Sequence, residues 1–422
     1  MKRFLTMAVA AGVLSAASVA SAQDVLVEGP GVQVGEATVL HPRVGVEAGV
    51  ISNVFFEEAN ERIAPILRLL AGLDIASAEE NRIGSDDNGR PTLAFRAGAE
   101  LEYQEYLSSV DAVRDQRHLD ANLIGKLHFF PQSNASFSLQ DKFQRVSRPT
   151  NFESSENLNR HLNHFIARFG FHPIGRTLSA DIRYENIVDY FLSEESEFAD
   201  RLQQKIGLRT TWRFFPYSQA YLDGSFGFYG ALGDNELDGM PYKISSNPLR
   251  IIAGVDSLIS EKTTVNAYAG YANGFYESGP NYSTIVGGVD FGWRYMPVGR
   301  LVLGYSHDVH DSINANFYRE HKIHLTATHA IRTNGILSAG FGVRFRGYRG
   351  VPAQVMPSDE NRDDFILEAN ARFNWMLQDR FSLYAEYILH SVETDFRAQF
   401  MADLDDPSYI RHEAVVGAAA AF

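Results

Sequence analysis

"TLAFRAGAELEYQ", residues 92 to 104, carries the reading that decides the fold. Leu93, Phe95, Ala97, Ala99, Leu101 and Tyr103 share one face of an extended chain, and Arg96, Gly98, Glu100, Glu102 and Gln104 share the other. A helix would scatter both sets around its circumference, whereas a strand separates them. One face is apolar to its ends and the other carries full charges. Such a strand needs an apolar phase on one side and water on the other.

The same rule repeats along the chain. In "DDFILEANARFNWML" (363 to 377) Phe365, Leu367, Ala369, Ala371, Phe373 and Trp375 oppose Glu368, Asn370, Arg372 and Asn374. "QKIGLRTTWRFF" (204 to 215) and "HLDANLIGKLHFF" (118 to 130) alternate in the same way. About 18 tracts follow, beginning near residues 42, 63, 92, 117, 134, 158, 176, 199, 217, 247, 262, 283, 300, 317, 335, 362, 379 and 410. The first two are the least regular, because "APILRLLAGLDIA" is apolar nearly throughout.

Connections between tracts are of two kinds. Tight ones include "HFFPQS" (128 to 133), "GFHPIG" (170 to 175), "RFFPYS" (213 to 218) and "RYMPVG" (294 to 299), with prolines at 131, 173, 216 and 297. Longer ones are acidic or polar, such as "FLSEESEFAD" and "ALGDNELDGMPYK". Tight and long alternate along most of the chain, the pattern of an up-and-down barrel with short turns at one rim and loops at the other. A β-propeller also repeats every 40 to 45 residues, roughly, but needs four strands per repeat. Here each repeat holds two tracts and one loop.

The expected fold is therefore all-β: a single antiparallel up-and-down transmembrane barrel over residues 41–422, with 18 strands, or 16 if the first two tracts lie outside the wall. One connection disturbs the 18-strand count: "SAEENRIGSDDNGRP" is long and acidic where a tight turn is due. Residues 1–22 read as a signal peptide, with Lys2 and Arg3, an apolar stretch from Phe4 to about Val19, and Ala20-Ser21-Ala22 before Gln23. Residues 23–40 then form an N-terminal periplasmic extension. The expected location is the bacterial outer membrane, reached through cleavage of that peptide.

Composition removes other classes. The chain has no cysteine, which excludes disulfides, thiolate metal sites and a lipoprotein anchor. Its net charge of −14 argues against a nucleic-acid partner. The histidine pairs His161 and His164, His307 and His310, and His321 and His324 are each three apart, so on strands their rings point to opposite faces. "SDDNGR" (85 to 90) and "GDNELDG" (233 to 239) lack the ligand spacing of a calcium loop. Ser306-His307-Asp308 cannot converge on one strand. No enzyme, metal or cofactor is expected.

Functional weight falls on the charged face. Alternation aims Arg96, Glu100, Glu102, Asp120, Lys126, Arg168, Asp181, Arg183, Glu185, Lys205, Arg209, Arg213, Asp290, Arg294, Lys322, Arg344, Arg346, Glu368, Arg372 and Glu386 inward. In a dry core each unpaired charge would cost several kcal/mol, roughly, so a water-filled lumen with mixed-sign ladders is expected. A lumen closed by its own ion pairs is the competing reading.

The alternating tracts, the turn phrases "RFFPYSQAYLDGSF" and "RYMPVGRLVLGYS", and the terminal Phe422 together resemble the putative β-barrel porin families (type-two putative porins) of Gram-negative outer membranes, over about residues 40 to 422. The resemblance implies a passive channel for hydrophilic solutes, lipids and the barrel-assembly machinery as partners, and Phe422 as the assembly signal. Some barrels of this type are similar to the terminal channels of exopolysaccharide export, which implies periplasmic export proteins as partners. Tyr184, Tyr221, Tyr268 and Tyr384 lie in tracts with one luminal face, where rings can stack on sugars. A closed structural or surface-interaction barrel is the third reading.

Overall fold

Each alternating tract becomes one wall strand in a computed structural model. The structure describes residues 29–35, 38–58, 61–77, 92–147, 159–173, 177–192, 197, 199–233, 235–237, 240–313, 315–351, 361–395, 398–400, 403–405 and 407–422. In chain order the wall strands are β1 (Thr38–Ile51), β2 (Ala64–Ser77), β3 (Leu93–Tyr106), β4 (His118–Phe129), β5 (Ala135–Val146) and β6 (Arg160–Phe171). Then come β7 (Leu178–Phe191), β8 (Arg201–Phe215), β9 (Ser218–Ala231), β10 (Leu249–Ser260), β11 (Thr263–Asn273) and β12 (Ser283–Met296). The last six are β13 (Gly299–Asp311), β14 (Phe317–Ile331), β15 (Gly335–Arg349), β16 (Asn361–Gln378), β17 (Phe381–Thr394) and β18 (Tyr409–Ala421).

Every strand pairs antiparallel with its sequence neighbours, and β18 returns to β1 with Ala421 opposite Arg43 and Glu413 opposite Ile51. The sheet is a closed barrel of 18 strands, so no edge is left unpaired. The first two tracts are in the wall, which removes the 16-strand alternative. The N-terminal boundary also moves: β1 starts at Thr38, not at 41, because Thr38, Val39 and Leu40 pair with Ser77, Ala76 and Ile75. The stretch before it is not independent of the wall. Val32 and Gln33 fold back onto Leu40 and Val39.

Tight turns follow β4, β8, β10, β12, β14 and β16, and most odd-numbered strands are followed by longer connections, so the two rims differ in kind. β1 begins and β18 ends at the tight-turn rim, where the Phe422 amide donates to the Pro42 carbonyl (3.0 Å). The signal segment (1–22) and the acidic connection 78–91 lie outside the described residues.

The outer surface is apolar and aromatic toward the tight-turn rim. Phe129 stacks on Phe137 across β4 and β5, with ring centroids 6.1 Å apart. Trp212, Phe215, Trp293 and Phe381 stand exposed on the same rim, where amphipathic and aromatic rings favour a membrane interface. After Phe129 the chain turns at Phe130, whose φ is +51°, and the Ser133 amide closes the turn on the Phe130 carbonyl (3.0 Å).

Inside, large rings are seated over glycines of the neighbouring strand. Tyr384 lies directly opposite Gly417, and Tyr221 opposite Gly254. A Cβ at Gly417 would stand 2.4 Å from the Tyr384 ring, so only glycine leaves the ring room to lie flat on the wall.

Candidate functional site: the charged inner wall

Register extends the parity of "TLAFRAGAELEYQ" around the barrel. Arg96, Glu100 and Glu102 share their face with Lys126 and Asp120 across β4, and Arg168 with Arg183 across β7. Asp181 and Glu185 face Arg209 and Lys205. Arg213 lies opposite Gln219, Asp290 opposite Gly304, and Arg294 follows the outward Trp293. Lys322 meets Arg344, Arg346 meets Glu320, and Arg372 meets Glu386. Glu368 lies opposite Gly342 on the same face.

Most of these charges are engaged. Arg183 grips Asp223 through two bonds of 2.7 Å and contacts Glu185 at 2.9 Å, which also takes Lys205 at 2.9 Å. Arg209 reaches Asp223 (3.8 Å) and lies 3.8 Å over the Tyr221 ring. Arg344 bridges Glu368 (2.6 Å) and Glu320 (3.4 Å), and Arg346 binds Glu320 at 2.6 Å. Arg372 pairs with Glu386 at 3.3 Å, Arg96 with Asp74 at 2.8 Å, Asp290 with His324 at 3.4 Å, and Glu100 with Arg43. Asp120 accepts the Ser147 amide at 3.1 Å. Arg168, Arg213 and Arg294 form no ion pair among the described residues.

The densest node was not legible in the tracts. Arg68 on β2 contacts Glu47 (3.2 Å), Glu102 (3.2 Å) and Glu413 (2.5 Å), and donates to Gln104 at 2.7 Å. It closes the barrel seam electrostatically, since its partners come from β1, β3 and β18. In "APILRLLAGLDIA" the apolar residues occupy both faces and mask the alternation. The even spacing of Arg68 and Asp74 was the available signal. The Arg250–Asp308 pair (2.5 and 2.7 Å) and the Arg160–Asp189–Arg201 bridge (2.9 and 2.6 Å) were likewise missed.

Of the four tyrosines, Tyr221, Tyr268 and Tyr384 line the inner face and Tyr184 faces outward. The Tyr384 hydroxyl donates to Glu47 at 2.7 Å, which ties it to the wall. His307 and His321, apart in sequence, stack across β13 and β14 at 4.3 Å on the outer face. Among the described residues no three His, Asp or Glu side chains are placed to share a metal ion.

Loops at the long-connection rim fold inward over this wall. After β1, Phe56 (φ +60°) inserts among Ile366, Val392 and Tyr409, beneath the Arg411 guanidinium at 4.3 Å. Val54 joins Ile51, Ile66, Tyr106 and Val415, together with Val113 of a short helix, Asp111–Arg114. On the opposite side, Lys243 donates to the carbonyls of Ser312 (3.2 Å), Ala315 (3.5 Å) and Asn316 (3.4 Å) and lies 4.3 Å over the Tyr229 ring. The Tyr276 hydroxyl shares its single proton between Asp311 (2.5 Å) and the Asn316 carbonyl (2.6 Å). Burial, and then the Asp311 carboxylate, push Tyr276 far above the ordinary tyrosine value, so it remains a donor. The mouth is narrowed from two sides.

One rim carboxyl gives this end a pH dependence. Burial pushes Asp200 up to about 6, against the favourable Phe191 amide at 2.7 Å and with repulsion from Glu197 and Asp189. Its folded value lies above its unfolded one, so the packed loop binds more protons and loses stability as pH rises from about 4 through 6. Proteolysis between Phe191 and Arg201 is expected to be slower at pH 5 than at pH 7.5. Asp200→Asn keeps the acceptor oxygen and should flatten that profile; a profile unchanged by the substitution would assign the effect elsewhere.

The family model described as Putative beta-barrel porin 2 matches residues 184–404, just over half of the chain. The chain belongs to this porin family. It is a porin-like β-barrel of the outer membrane. No curated protein matches this porin. Among solved structures it is similar to OccK2 (OpdF) of Pseudomonas aeruginosa, with 12% identity, 91% of this chain and 98% of that chain covered, and a TM-score of 0.46. OpdQ of the same organism gives 9%, 91%, 99% and 0.46. The FrpB iron transporter of Neisseria meningitidis gives 7%, 90%, 81% and 0.45. Likeness at this level carries no residue roles.

Proposed function

We propose that this porin passes hydrophilic solutes by passive diffusion, and that it acts as a channel rather than as an enzyme. The observation that carries the reading is the inner wall itself. Charges of both signs are held by ion pairs on a closed sheet of 18 strands, a size at which porins enclose an aqueous channel. Fixed dipoles and charges along a wet wall weaken the barrier to a polar solute without binding it tightly. In the same reading the segment 1–22 is cleaved on export, Phe422 guides insertion by the assembly machinery, and the tight turns face the periplasm.

Sugar-chain export is the second reading, and it has its own observation. Tyr221, Gly254, Tyr268 and Gly288 follow one another directly across β9 to β12 on the inner face, which sets two rings flat on the wall. Planar-bilayer conductance of the refolded protein with a sugar-polymer series tests both. Diffusion predicts steady open channels whose current is reduced only by polymers small enough to enter. Export predicts block by long oligosaccharides and, on deletion, loss of surface polymer. Absence of any steady conductance would sink both and leave a closed structural barrel.

A further inference from the structure

The two ends of the inner wall differ in charge balance. At the loop rim, the inner-face cations among the four terminal residues of a strand are Arg160, Arg201, Arg250, Arg346, Arg362 and Arg411. They meet five carboxylates there, Asp120, Asp189, Asp308, Glu320 and Asp364, and each of the six makes an ion pair. At the tight-turn rim the same depth again holds six cations: Arg96, Lys126, Arg168, Arg213, Arg294 and Arg300. Only two carboxylates accompany them at that depth among the described residues. Asp74 is taken by Arg96 at 2.8 Å, and Asp181 stands 3.9 Å from His172.

Four arginines are left over. Arg168, Arg213, Arg294 and Arg300 make no ion pair among the described residues, and all four are exposed. Their inward direction is set by register. Arg168 shares its face with Arg183, Arg213 with Gln219, and the Arg300 guanidinium reaches over the inner side of Gly292. Arg294 follows the outward Trp293. Four exposed arginines without a carboxylate partner among the described residues leave this rim with a surplus of positive charge. A guanidinium presents a planar fork suited to carboxylate and phosphate oxygens, and rings of Arg or Lys select anions in pores.

We infer that the tight-turn mouth is an anion-binding entrance, in which Arg168, Arg213, Arg294 and Arg300 capture solutes bearing carboxylate or phosphate groups. This deepens the channel reading and rests on it. Because most of the other inner-wall charges are paired, this mouth contributes more to selectivity than the rest of the lumen.

The test is the reversal potential of the full-length protein in a planar bilayer under a potassium chloride gradient. Wild type is expected to prefer chloride. The quadruple variant Arg168→Gln, Arg213→Gln, Arg294→Gln, Arg300→Gln should lower the anion-to-cation permeability ratio by roughly an order of magnitude, the scale of electrostatic focusing, while channels still open. The neutral-pair variant Arg362→Gln, Asp364→Asn at the other rim should leave the ratio unchanged. A cation-preferring wild type, or a quadruple variant that keeps the wild-type ratio, would overturn the proposal while leaving the channel intact. Should the protein show no conductance, the channel reading fails separately. Inorganic phosphate binding to the detergent-folded chain, followed by phosphorus NMR line broadening, then decides the mouth: broadening lost in the quadruple variant supports it, and none in wild type refutes it.

Discussion

Replacing Arg68 by methionine is expected to destabilise the barrel by about 3–5 kcal/mol, the usual cost of removing one partner from a buried ion cluster. The Arg68 side chain is only 5% exposed, and its three carboxylate partners are comparably buried. Methionine fills much of the volume but removes the cation that Glu47, Glu102 and Glu413 share, although Glu413 keeps Arg411 at 3.7 Å. Tyr384, which donates to Glu47 at 2.7 Å, would lose its oriented acceptor as well. The measurement is the temperature at which the folded, fast-migrating form is lost on unboiled gels, together with urea unfolding followed by tryptophan fluorescence. Because the node joins β1, β2, β3 and β18, the loss should open the seam first. A variant that unfolds with the wild-type midpoint would mean that water already solvates these carboxylates.

The second large effect is expected at the loop rim, from Lys243→Met. Lys243 is buried, yet it holds the carbonyls of Ser312, Ala315 and Asn316 from a different loop. Hydrogen bonds to a charged donor contribute about 1.5–3 kcal/mol, so their loss should raise the open population of these loops about ten-fold to hundred-fold. Hydrogen exchange at residues 312–316 should speed up accordingly, and single-channel records should show larger and noisier current. The barrel melting point should change little, because the wall strands do not depend on the contact. Unchanged exchange with a lowered melting point would place Lys243 in the wall's stability instead.

How much was legible follows from what each feature depends on. The face of Arg96, Glu102 or Arg372 is a local property, because alternation in an extended chain has a period of two and needs no knowledge of the neighbour. Likewise the aromatic-proline turns mark a rim by their own chemistry. Where both faces are apolar, as around Arg68, the period carries no information about which face a residue takes.

The sequence by itself determined that this chain crosses a membrane with strands, which rim carries tight turns, and which side chains share the charged face, since each rests on contacts within a few residues. Only the tertiary structure decided that the first two tracts belong to the wall and that the count is 18, because both depend on β18 meeting β1 across nearly the whole barrel sequence. It also decided which charges are spent and which are free. Arg346 and Arg213 look alike along a strand, but one finds Glu320 on its neighbour and the other finds Gln219. Pairing across strands is a property of register and closure, and no single strand contains it.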